Sequence, residues 1–155
     1  MINFFLIILS LFISYNASAQ GDQVEQRKKH FNLEDALGIQ GYDPVAYFIQ
    51  NKALKGSKAF TATYLGIPYR FISEDNKNAF LINPQKYEPQ YGGWCAYAMG
   101  LDGSKVKVDP KTFKIIDNQL YLFYNFFFNN TLNDWNKDEV NLKSKADTYW
   151  KTAFE

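Results

Sequence analysis

Phe60-Thr61-Ala62-Thr63-Tyr64-Leu65-Gly66-Ile67-Pro68-Tyr69-Arg70-Phe71-Ile72-Ser73-Glu74-Asp75 changes its pattern twice, and those changes decide the fold class. Phe60, Ala62 and Tyr64 alternate with Thr61, Thr63 and Leu65, the period of a strand with one buried face. Gly66-Ile67-Pro68 reads as a turn and Tyr69 to Ile72 as the returning strand, which makes a β-hairpin. Ser73 then suits a helix N-cap, where its hydroxyl accepts an amide proton left unpaired in the first turn. Glu74 and Asp75 match the positive end of the helix dipole. Phe80 and Leu81 supply an apolar side, and Asn83-Pro84 ends the helix.

Upstream, Gly41-Tyr42-Asp43-Pro44-Val45-Ala46-Tyr47-Phe48 reads as a turn entering an extended apolar run, because Pro44 biases Asp43 away from helix. Residues 20–30 form a polar lead-in, within which Arg27-Lys28-Lys29-His30 reads as a solvated basic face. Downstream, Gln85 to Tyr91 is turn-rich and Val106-Lys107-Val108 is expected to be a short strand. Phe113 to Ile116 and Leu120 to Tyr124 predict a second hairpin across Asp117-Asn118-Gln119. Its second strand is apolar on both faces, which suits a central position. Phe126-Phe127-Phe128 cannot share one helix face, so at least one ring is expected at the edge of the packing. Leu142, Ala146, Tyr149, Trp150 and Ala153 describe one helical stripe. These elements predict an α+β fold: a small antiparallel β-sheet of two hairpins, packed helices and a C-terminal amphipathic helix.

Ile2 to Ile13 is almost entirely apolar and is followed by Ala17-Ser18-Ala19, a small-x-small cleavage pattern. Residues 1–19 therefore read as a signal peptide, and 31–155 as a single domain that is periplasmic or secreted. The apolar run is too short for a spanning helix, so no membrane span is expected after cleavage. A net charge of +1 argues against a broad electrostatic surface for nucleic acid. The chain has 1 cysteine, so no intramolecular disulfide can form.

Tyr69-x-Phe71-x-Ser73, Phe80 and Asn83-Pro84-x-x-Tyr87 occur in an order that resembles a YHS domain, specifically the exported bacterial variety. Gly41 to Phe48 and Tyr91-Gly92-Gly93-x-Cys95-Ala96-Tyr97-Ala98 are similar to the two strongest signatures of that variety. Leu120-Tyr121-Leu122 and the tryptophan-bearing C-terminal helix fit as well, so the resemblance runs roughly from Phe31 to Trp150. YHS domains attached to metal-transport ATPases and some oxygenases carry cysteines after Asp-Pro-Val, between the Phe and Ser of the hairpin, and three residues beyond that Ser. Here those places hold Ala46, Ile72 and Asn76, and none can supply a thiolate. The histidine for which the family is partly named is replaced by Arg70. The resemblance thus implies the scaffold and a metal association, without that particular soft-metal site.

Cys95 and Met99 are four apart, so on a helix they share a face. Thiolate with thioether is a donor pair that favours Cu(I). His30, the only histidine, is the candidate third ligand. A zinc site is disfavoured, because one Cys and one His do not make four ligands. The competing reading of Cys95 is a small buried apolar residue among Trp94, Ala96, Tyr97 and Ala98, with Met99 filling a gap. Gly92-Gly93 reads as a turn before a core element, and Asp43 as a carboxylate bonded to backbone. The many tyrosines read as aromatic core, with a flat organic ligand as the alternative. The expected function is a non-catalytic binding or accessory role, with a metal ion, copper foremost, or a periplasmic protein as partner. The alternatives are a ligand-free structural or protein-interaction module and a thiol redox protein using Cys95. No catalytic residue is assigned.

Overall fold

The computed structural model describes residues 21–153, and the expected signal peptide, 1–19, lies outside them. The chain opens with α1 (21–30), the short strands β1 (Leu33–Glu34) and β2 (Leu37–Gly38), and α2 (Ala46–Ile49). Next come β3 (Ser57–Tyr64), β4 (Ile67–Phe71), α3 (Glu74–Ile82), α4 (Pro84–Tyr87) and α5 (Ala96–Asp102). The rest is β5 (Asp109–Ile116), β6 (Gln119–Phe123), β7 (Asn125–Phe126), β8 (Asn129–Asn130), α6 (Thr131–Trp135) and α7 (Glu139–Thr152). The class is α+β, as the sequence predicts. The hairpins do not merge into one sheet: among the described residues each pair is its own two-stranded antiparallel sheet.

In the first hairpin Tyr64 pairs with Ile67, so Leu65 and Gly66 alone make the turn, at φ 42° and 83°. Ile67 and Pro68 already belong to β4, so the strand begins two residues earlier than their composition suggests. Period two then buries Ile67, Tyr69 and Phe71 completely. Ser73 caps α3 as expected, its hydroxyl accepting from the Asn76 amide at 3.2 Å.

The run after Pro44 is a helical turn and not an extended segment. Asp43 Oδ1 accepts the amides of Val45 and Ala46 at 2.8 and 3.2 Å. A carboxylate with two forward amides, followed by a proline whose φ is already helical, starts a helix. The bias of Pro44 acts only on the residue before it.

The second hairpin closes through Asp117 and Asn118, at φ 50° and 59°, with Ile116 opposite Gln119. Both central residues are left-handed, the geometry of a type I′ turn. The strand expected at Val106 to Val108 is absent; strand pairing begins at Asp109, and Val108 is buried as a loop anchor. Leu120 to Phe123 are all buried, and β6 also bridges Pro89 and Cys95 through single parallel pairs at Leu120 and Leu122. A strand covered on every side needs no alternation.

Two apolar clusters form the core. The larger gathers Val45, Tyr47, Ile67, Tyr69, Phe71, Phe80, Cys95, Leu120 and Leu122. The second holds Tyr91, Met99, Tyr121, Phe123 and Trp135 with Leu142 and Ala146 of α7. The α7 stripe buries those two residues, half-buries Trp150 and leaves Tyr149 42% exposed. α5 and α7 approach so closely at Gly100 that a Cβ there would lie 2.4 Å from the Leu142 carbonyl oxygen.

The basic run in α1 is only partly solvated. The Arg27 side chain is 13% exposed; its Nη2 meets Glu88 Oε1 at 2.5 Å and its Nε donates to the Leu65 carbonyl. Its guanidinium also lies 4.2 Å from the Phe31 ring centre. A buried acidic partner and an aromatic face draw this one cation inward, while Lys28 and Lys29 stay exposed.

Candidate functional site

Tyr91-Gly92-Gly93 builds the entry to the site with three left-handed residues in succession, at φ 55°, 59° and 83°. A Cβ at Gly92 would meet Trp150 Cη2 at 2.7 Å and Phe31 Cα at 3.1 Å, so glycine serves here for both conformation and space. The carbonyls of Gly92 and Gly93 accept from the Asn32 amide and from Asn32 Nδ2. Trp94 Nε1 donates to the His30 carbonyl at 2.7 Å. The double glycine is therefore a turn before a core element that clasps the segment following α1.

Cys95 stands at the start of α5, its amide bonded to the Val106 carbonyl and its backbone bridged to Leu122. Its side chain closes a small polar circuit. The Tyr124 amide donates to Cys95 Sγ at 3.3 Å, and Thr131 Oγ1 lies 3.4 Å from the sulfur. Thr131 Oγ1 also donates to the Tyr124 carbonyl at 3.0 Å. With the threonine proton spent there, the thiol proton points to Thr131 Oγ1, and every partner in the circuit is used.

This circuit floors a cleft of about 280 Å³ walled by Tyr97, Ala98, Leu101, Val106 and Asn129. Cys95 is 0% exposed, so the cleft reaches the residue without opening the sulfur to bulk water. Asp102 is the one ionisable side chain in the wall besides tyrosine and the thiol. Its carboxylate accepts the Ser104 amide at 3.0 Å; the Ser104 hydroxyl first, and then that amide, lower its pKa.

Met99 lies one helical turn beyond Cys95, its amide bonded to the Cys95 carbonyl at 3.0 Å. The two side chains enter different cores: Cys95 the larger cluster, Met99 the second. His30 ends α1 half-buried, with Nδ1 2.9 Å from Lys105 Nζ. Desolvation first, then Lys105 and Lys29, lower its pKa and favour the neutral ring. Among the described residues no group of three or more His, Cys, Asp and Glu side chains is placed to hold a metal ion.

Two further polar centres were not assembled by sequence reasoning. Asp43 is 0% exposed and accepts four donors: Val45 and Ala46 amides on Oδ1, and the Ile72 amide and Asn76 Nδ2 on Oδ2, at 2.8 and 2.7 Å. Only the backbone-bonded role of Asp43 was legible beforehand. Glu88 receives Arg27 and the Tyr69 hydroxyl on one oxygen. Burial raises its pKa, while Arg27 and then Tyr69 oppose the shift. Glu88 and Arg27 line a second cavity of about 200 Å³ beside Phe31, Tyr91 and Trp150. Nothing in the Tyr87-Glu88-Pro89 context marks that carboxylate as buried.

The fold and this geometry define an α+β domain with one thiol-floored apolar cleft and two structural carboxylate centres. No protein-family model, no curated protein and no solved structure matches the chain. Among the described residues no helix is long and apolar enough to cross a membrane.

Proposed function

We propose that this chain is an exported YHS-like domain with a non-catalytic binding role, exercised at the Cys95 cleft. The observation that carries the reading is the cleft itself: about 280 Å³, walls that are mostly apolar, and a floor whose polar groups are already paired. Small-molecule pockets run from about 300 to 1,000 Å³, so this cleft suits one apolar side chain or a comparably small group. The family reading draws support from Asp43. Ala46, Ile72 and Asn76, the places where related domains hold cysteines, all donate to its carboxylate. Residues far apart in the chain thus share one centre, as the resemblance implies, with a hydrogen-bonded carboxylate where thiolates would stand.

A neutral solvatochromic dye tests the cleft. At submicromolar protein its emission is expected to rise and shift blue with the native chain. Ala98→Phe, which fills the cleft, should abolish the change while leaving the fold intact by circular dichroism. Equal dye response in both proteins refutes the reading. Copper remains the second reading, favoured by the single helical turn between Cys95 and Met99. Binding would require Met99 to leave its cluster. Cu(I) titration beside Cys95→Ala decides it, since equal weak binding in both ends the copper reading.

A further inference from the structure

Between Asp117 and Asp134 the chain carries no charged side chain, and in its middle stands Asn125-Phe126-Phe127-Phe128-Asn129-Asn130. Phe126 pairs with Asn129, so Phe127 and Phe128 are the two central residues of the β7–β8 turn. Their φ values are 52° and 65°. Such turns ordinarily take Asn-Gly or Asp-Gly, because left-handed backbone crowds a side chain. Here two phenylalanines occupy it, and they are 92% and 110% exposed. Neither ring contributes to the fold, and both sit in backbone that disfavours them.

The same hairpin forms part of the cleft. Asn129, next to Phe128, is in its wall, and Leu101, also in the wall, is 55% exposed. One chain therefore presents an uncharged aromatic knob beside an apolar hole. The rings do not fill their own cleft, as their exposure shows.

We propose that this surface is a self-association site: a second copy of the chain places one ring of its Phe127–Phe128 tip in the Cys95 cleft and the other against the exposed rim at Leu101, and receives the first copy's tip in return. This rests on the cleft being a binding site and names its occupant. A knob and a hole on one chain satisfy each other through a two-fold axis, which closes the assembly at two copies. The area is sufficient. A phenylalanine buries about 150–250 Å², so four rings and the walls they cover remove about 1,200–2,000 Å², the size of a standard stable interface. The cleft wall carries a single carboxylate, Asp102, and an uncharged tip meets it without bringing a second like charge. The hairpin offers no cation to anionic lipid headgroups and no charge to select an acidic or basic protein.

Sedimentation equilibrium of the mature protein tests this, with Phe127→Ser/Phe128→Ser and Ala98→Phe as separate variants. The native chain is expected to show a reversible monomer–dimer equilibrium, weakened about tenfold or more by either change. Mixing the two variants should restore one of the two contacts, giving a heterodimer stronger than either variant alone and weaker than native. The tip variant should melt no lower than native, because its rings support nothing in the monomer. A native chain that stays monomeric at several hundred micromolar, or a dimer indifferent to both variants, overturns the proposal. Co-flotation with phosphatidylcholine vesicles by a monomeric native chain and not by the tip variant would overturn it in favour of a lipid surface. The dye separates this proposal from the cleft reading. A monomeric chain that still binds dye keeps the cleft and loses the dimer, whereas loss of both removes the two together.

Discussion

Replacing Asp43 by Asn changes one atom of a side chain with no access to water, and the outcome follows from the directions of its four hydrogen bonds. All four partners donate: two backbone amides to Oδ1, one backbone amide and the Asn76 amide group to Oδ2. Asparagine keeps one acceptor oxygen, which satisfies Val45 and Ala46. Its amide nitrogen then faces the Ile72 N–H and Asn76 Nδ2. Asn76 can turn its own oxygen inward, but the Ile72 N–H cannot turn. The variant loses about two charge-assisted bonds, worth about 1.5–3 kcal/mol each, and strands a buried backbone donor. Asn76 recovers part of this, leaving a net cost of about 3–5 kcal/mol, or about 10–15 °C in melting temperature for a domain of this size. Urea denaturation followed by tryptophan fluorescence gives the free energy, and Asp43→Ala, which removes all four acceptor contacts and the shape as well, should cost more than Asp43→Asn. Desolvation is the competing effect, because a buried carboxylate also costs free energy that an amide does not. If Asp43→Asn proves neutral or stabilising, desolvation outweighs the four bonds and the reasoning about this centre is wrong.

Gly100→Ala should cost about 1–3 kcal/mol by urea titration, since its Cβ would meet Leu142 backbone atoms that can yield only by parting α5 from α7. Alanine's better helix propensity works the other way, and a stabilised variant would show that the two helices are free to separate. For Glu88, burial raises the folded pKa above the unfolded value despite Arg27. Its contribution is therefore fully present below the ordinary glutamate range and is lost as pH rises through the raised value. Glu88→Gln should remove that decline from the stability–pH profile measured between pH 4 and 8. An unchanged profile would place the pH dependence elsewhere.

The elements legible in the sequence are those whose signals are local. Ser73 caps α3 with the next acidic residues in its first turn, and period two buries Ile67, Tyr69 and Phe71, because both effects act over a few residues. The failures are places where a distant partner decides. Arg27 looked solvated in its basic run, yet Glu88, Phe31 and the Leu65 carbonyl hold it inside. Val106 to Val108 has strand composition, but it serves as loop, giving the Cys95 amide its acceptor. At least one of the three phenylalanines was expected at an edge, and Phe127 and Phe128 both are, on a tight hairpin whose Asn-flanked turn carries no glycine to announce it.

The lone thiol shows the same limit at the site. Its spacing to Met99 is a true statement about one helix, and the structure keeps that turn intact. Sharing a turn does not mean sharing surroundings, however. α5 is packed on both sides, so residues four apart can face separate cores, and here they do. What gives Cys95 its character comes from Tyr124 and Thr131, which lie well beyond it in the chain. Those two also bring the aromatic hairpin to the cleft, because the hairpin is the chain between them. A change that loosens Thr131, such as Thr131→Val, should therefore disturb the thiol and the Phe127–Phe128 tip together. Thiol labelling and self-association then report on one connected structure, and a Thr131→Val protein altered in only one of them would show the two to be independent.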